Sequence, residues 1–97
     1  MIEISIPDLP DPPDIEDALE QATIEAERTA NRLVPVRSGT LRDSITIDLT
    51  RHTITAEADY AVFVEKGTIY QAPQPFLRPA AEEALRSVAR RLRTRSQ

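Results

Sequence analysis

VPVRSGTLRDSITIDLTRHTITAEADYAVFVEKGTIYQAPQPFLRPA, residues Val34 to Ala80, decides the fold of this chain. Near its centre Ile45, Ile47 and Leu49 alternate with Thr46, Asp48 and Thr50, the period of a half-buried strand. Ile54, Ala56 and Ala58 alternate in the same way with Thr53, Thr55 and Glu57. Arg51-His52 lies between the two strands. A two-residue hairpin prefers Gly or Asn there, so a longer or bulged turn is expected. Upstream, Ser38-Gly39 reads as a turn, with Thr40 capping one helical turn through Leu41, Arg42 and Asp43. Downstream, residues 59–66 read as a short helix started by Asp59, with Tyr60, Phe63 and Val64 on one side and Gly67 as its C′ residue. Tyr, Val and Phe also favour strands, so that alternative stays open. Thr68 to Gln74 reads as a loop or a short edge strand. Pro79 can stand in the first turn of a closing helix without losing a needed hydrogen bond.

Toward the N-terminus, Ile2-Glu3-Ile4-Ser5-Ile6 has strand alternation, ended by Pro7. Pro7, Pro10, Pro12 and Pro13 stiffen a connector, so residues 1–13 are a strand plus spacer. Asp14 is placed to cap a helix, with Asp17 three residues on. Ile15, Ala18, Leu19, Ala22, Ala26, Ala30 and Leu33 form its apolar stripe, and Pro35 stops it. Alanine in such a stripe permits close approach to a sheet. Toward the C-terminus, Ala81, Leu85, Val88 and Leu92, widened by Ala84 and Ala89, form a second stripe, and residues 94–97 read as a frayed tail. The expected order is β-α-β-β-α-(β)-α. This is an α+β fold: a small, mostly antiparallel sheet with two long helices packed on one face. Residues 1–97 make one domain, with Phe63, Phe76, Leu77 and Pro79 expected to anchor it.

Composition narrows the function. Hydrophobic residues make up 40% and charged residues 29% of the 97, as in a water-soluble domain with one modest core. No cysteine is present, which removes disulfides, thiolate nucleophiles and cysteine zinc sites. No apolar run approaches the roughly 20 residues of a membrane span, and no basic, apolar leader precedes residue 14. The net charge of −4 hides a segregation. Every charged side chain from Met1 to Glu27 is acidic, whereas Arg78, Arg86, Arg90, Arg91, Arg93 and Arg95 dominate after Pro75. Such asymmetry can orient subunits against one another, or simply suit each helix dipole.

Catalytic groups are not evident. His52 is the only histidine and reads as a solvated turn residue, with no second His or Cys to make a zinc site. Ser38-Gly39-Thr40 is too short for a phosphate loop and lacks its lysine. Ser44 has no evident base, and Glu82 with Glu83 point to different helix faces. No enzyme activity, cofactor or metal is therefore expected. Arg86, Arg90 and Arg93 share one helix face, yet no aromatic interleaves with them and the chain is acidic, which argues against direct nucleic-acid binding.

Three ordered motifs carry a family resemblance. They are Pro35, Val36, Gly39, Leu41, Ser44 and Ile45; then Tyr60, Ala61, Val64, Glu65, Gly67 and Thr68; then Pro75, Phe76, Leu77, Pro79 and Ala80. In this order the chain resembles the gene-product-ten-like family, small tail-component or tail-completion proteins of long-tailed phages and prophages. Arg37 and Ser38 stand where that family usually has aspartate and threonine. The resemblance implies a virion protein of the neck or tail, made in the host cytoplasm, and no membrane contact. It implies a homo-oligomeric ring, commonly six-fold, that joins the head connector to the tail-tube or tail-terminator proteins. Arg37, Ser38, Gly39, Thr40, Arg42, Tyr60, Glu65, Lys66, Gly67, Thr68, Arg86, Arg90 and Arg93 are the candidate assembly residues. Two other readings stay open: a head-side connector or stopper, and a small nucleic-acid-binding or regulatory module that uses the arginines of the last helix.

Overall fold

The alternating isoleucines place three short strands side by side. In a computed structural model describing residues 1–13, 15–35 and 39–95, the side chains of 94 and 95 excepted, β1 (Ile2–Ser5), β2 (Ile45–Asp48) and β3 (Thr53–Ala56) form one antiparallel sheet in the order β1-β3-β2. The register sets Ile4, Ile54 and Ile47 in one row and Ile2, Ala56 and Ile45 in the next. Directly opposed residues share a face, so this side of the sheet is apolar throughout. The other side carries Glu3, Thr46, Asp48, Thr53 and Thr55. β1 and β2 are both edge strands.

The turn between β2 and β3 is a four-residue one, Leu49–His52, rather than two. The Asp48 carboxylate accepts N–H groups of Thr50 and Arg51 at 2.9 and 3.1 Å, and His52 takes φ 56° to close it. A carboxylate reaching two residues ahead replaces the missing Gly or Asn.

Two long helices, α1 (Glu16–Leu33) and a later one, α4 (Leu77–Arg95), cover the apolar face. α1 packs on β2 and β3, α4 on β3 and β1, and the two helices make the most extensive contact in the molecule. Ala18, Ala22, Ala26 and Ala30 are buried at four-residue spacing, a ridge low enough to bring the helices close. Thr23, also buried, is tolerated because its hydroxyl donates to the Leu19 carbonyl at 2.7 Å. Ala80, Ala81, Ala84, Leu85 and Val88 supply the facing stripe, with Leu92 at its edge. The stripe expected on α1 is narrower at its ends. Ile15 is 52% exposed and Leu33 37%, while Ala30 and Val34, one turn apart, take the buried side at the end of the helix. The Asp14 cap lies outside the described residues.

Three short elements complete the chain: a 3-10 turn over Ile6–Asp8, α2 (Gly39–Asp43) and α3 (Ala61–Lys66). The chain over 61–66 is thus helical, as its Ala, Glu, Lys and closing Gly favour, but the helix starts after Tyr60 rather than at Asp59, which lies in the preceding turn. The optional strand before α4 is reduced to a single antiparallel bridge, Thr68 with Gln71. No helix among the described residues is long and apolar enough to cross a membrane.

Candidate assembly surface

Leu41 and Ile45 hold the first motif in the core. Leu41, on α2, is fully buried, and the Ser44 hydroxyl donates to its carbonyl at 2.8 Å to end the helix. Thr40 and Arg42 flank Leu41 and are exposed. Gly39 is the first residue of α2, and a Cβ there would meet nothing among the described residues. Gly39→Ala is therefore expected to shift the unfolding free energy by no more than about 0.5 kcal/mol, read by urea denaturation. Val36, Arg37 and Ser38 lie outside the described residues.

The second and third motifs turn out to be one device. Ala61 and Glu65, one helical turn apart on α3, both face inward and are buried. The Glu65 carboxylate accepts the N–H groups of Phe76 (3.0 Å), Leu77 (2.8 Å) and Arg78 (3.1 Å). These are the unpaired donors at the start of α4, and the next residue, Pro79, has none to satisfy. Negative charge here also complements the helix dipole. Phe76 and Leu77, fully buried, lock the same corner into the core. The Gln74 N–H donates to the Val64 carbonyl at 2.8 Å, a second tie between α3 and the start of α4. Glu65, expected on the assembly surface, is thus buried and committed within the subunit. Local sequence could not reveal it, because its partners lie 11 to 13 residues away.

Gly67 closes α3 at φ 77°, its N–H donating to Phe63 at 2.7 Å, and a Cβ there would lie 2.7 Å from the Pro73 nitrogen and 2.9 Å from the Gln71 oxygen. Beyond it the Thr68–Gln71 bridge folds the chain back, and the Thr68 hydroxyl accepts the Tyr70 N–H at 3.1 Å. Ile69 and Tyr70 form the tip and are 89% and 92% exposed. Phe63, expected to anchor the fold, is 55% exposed. In a helix of six residues, Ala61 and Glu65 take the inward face and leave Phe63 outside. With Tyr60 also exposed, residues 60–70 hold four large apolar or aromatic side chains in solvent. Sequence reading missed Ile69 and Tyr70; the punctuation of Gly67-Thr68 and Pro73 around two large apolar residues was the available signal.

Two ion pairs among the described residues join the long helices. Arg91 of α4 pairs with Glu25 of α1, and Arg32 of α1 lies 3.5 Å from Glu83 of α4. Arg86 and Arg93 are exposed along a groove between α4 and the connector, which Leu9, Pro10 and Asp11 complete. Arg90, expected to act with them, is exposed on the same helix. Lys66 and Thr68 are exposed beside the tip. His52, expected in solvent, is buried at 8% exposure.

The sequence pattern of one known family matches residues 7–67, spanning the connector, α1, the hairpin and α3 as far as Gly67. That family is described as "Bacteriophage HK97-gp10, putative tail-component". No curated protein and no solved structure matches the chain. The chain belongs to the HK97-gp10-like family of phage tail components.

Proposed function

We propose that this chain is a structural part of the virion, a ring at the junction of head and tail that links the head connector to the tail tube. The observation that carries this reading is the exposure of Tyr60, Phe63, Ile69 and Tyr70 in segment 60–70, which the buried Ala61 and Glu65 tie to the subunit. Large exposed apolar clusters mark surfaces that bury against another protein. A ring needs a heterologous contact, in which one patch meets a different patch on the next copy. The segment 60–70 is one such patch, and Thr40, Arg42, Lys66, Thr68, Arg86, Arg90 and Arg93 lie on the exposed surface available to the other or to adjoining tail proteins. Family membership supports placement in the tail, and the head–tail junction, the ring and its six-fold symmetry are our reading. We assign the assembled protein to the virion and its assembly to the host cytoplasm.

The double variant Ile69→Asp/Tyr70→Asp tests the surface. Both side chains are almost wholly in solvent, so unfolding stability should change by no more than about 0.5 kcal/mol. Sedimentation velocity should show the variant staying monomeric at concentrations where the natural sequence forms oligomers. Oligomers of unchanged size and affinity would remove this segment from the interface.

A further inference from the structure

We propose that Glu16, Glu20 and His52 form a binding site for one divalent transition-metal ion, of which zinc is the best fit. One ligand atom from each side chain lies within 4.8 Å of the other two. Glu16 and Glu20 stand four residues apart on the first turns of α1 and so project from the same helix face. His52 comes from the far side of the contact, on the β2–β3 turn, where its positive φ and the Ile6 N–H bonded to its carbonyl at 2.9 Å hold the backbone.

The second observation is independent of the acids. His52 is more than nine-tenths buried, and its Nε2 is buried with no hydrogen-bond partner. Leaving such a group unpaired in a folded interior is costly, so a buried polar atom without a partner points to an absent one. Neither glutamate forms an ion pair with a described cationic side chain, and Arg51, beside His52, turns instead to Glu3 at 3.6 Å. No described cationic side chain therefore occupies the two carboxylates as an ion-pair partner.

Imidazole nitrogen with carboxylate oxygens is a donor set that suits zinc and its first-row neighbours, whereas calcium and magnesium prefer oxygen alone. Zinc holds such ligands at about 2.0–2.2 Å, which places them roughly 3.4 Å apart in a tetrahedron. Glu16 is exposed and Glu20 half-buried, so rotation of their side chains can close the remaining distance. Three protein ligands leave one position for water. An ion held there would staple the start of α1 to the hairpin turn.

The test is isothermal titration of the metal-free full chain with Zn²⁺, together with thermal unfolding with and without Zn²⁺. His52→Asn is the first variant, because Asn tolerates the left-handed backbone of the turn. Glu16→Gln/Glu20→Gln is the second, nearly isosteric, and Glu57→Gln, at an exposed acid outside the cluster, is the control. Binding of one ion per chain is expected, with a raised melting temperature that EDTA reverses. Both cluster variants should weaken binding by at least about tenfold while keeping the metal-free melting temperature, and the control should bind as the natural sequence does. Absence of saturable binding, or binding that the cluster variants leave unchanged, overturns the site. If His52→Asn alone unfolds the protein, Glu16→Gln/Glu20→Gln decides the question by itself.

Discussion

Glu65→Ala is expected to remove about 3–5 kcal/mol of unfolding free energy, a large share of what a domain of this size possesses. The carboxylate accepts three backbone N–H groups at the start of α4. A hydrogen bond to a charged acceptor contributes roughly 1.5–3 kcal/mol, and a buried donor left without a partner costs about 1–3 kcal/mol. These terms overlap, because all three donors share one side chain, so the total falls below their sum. The melting temperature should drop by on the order of 20 °C. Glu65→Gln separates charge from shape. Its single carbonyl oxygen can keep two of the three donors, but its amide turns a donor toward the third, so a loss of about 1–2 kcal/mol is expected. Urea denaturation of both variants checks the order. A loss under about 0.5 kcal/mol for Glu65→Ala would mean that solvent replaces the carboxylate at no cost.

Gly67→Ala comes next, with an expected loss of about 2–4 kcal/mol. The residue sits at φ 77° and ψ 177°, a region essentially reserved for glycine. A Cβ would also press on Pro73 and the Gln71 carbonyl at 2.7–2.9 Å, and these contacts are to backbone and a proline ring, which cannot swing aside. Hydrogen exchange offers the sharper readout. Residues 64–76 should open, with faster exchange at the Thr68, Gln71 and Gln74 amides, whose partners are Gln71, Thr68 and Val64. Exchange that accelerates evenly over the whole chain, sheet included, would instead mean that this corner unfolds only with the rest.

The two glycines of the chain thus differ. Gly67 is required by the subunit's own backbone, whereas nothing among the described residues requires glycine at Gly39. Glu65 joins the first class. The residues near the tip of segment 60–70 are therefore of two kinds: those that build the corner and those that the corner displays.

Elements with strong periodicity were legible in the sequence. Ile45, Ile47 and Ile54 fixed their strands because alternation is local, and the alanines of α1 marked its buried face for the same reason. What escaped depended on contacts distant in sequence. Phe63 reads as an anchor by hydrophobicity, but Ala61 and Glu65 already occupy the inward side of a helix with only one buried face. His52 reads as solvated because nothing near it in sequence reveals that α1 begins above its turn. One pair that joins the two oppositely charged ends, Arg91 with Glu25, forms within the subunit between residues 66 apart in sequence, a contact that local reading does not reveal. The exposed tip at Ile69 and Tyr70 became visible only once the Thr68–Gln71 bridge showed which side chains the turn leaves outside.

Negative-stain electron microscopy of the purified chain, alone and mixed with the tail-tube protein of the same phage, tests self-assembly most directly. Closed rings of identical copies, formed without DNA, are the predicted result. Particles that stay monomeric at every concentration, both alone and with the tail protein, would contradict it.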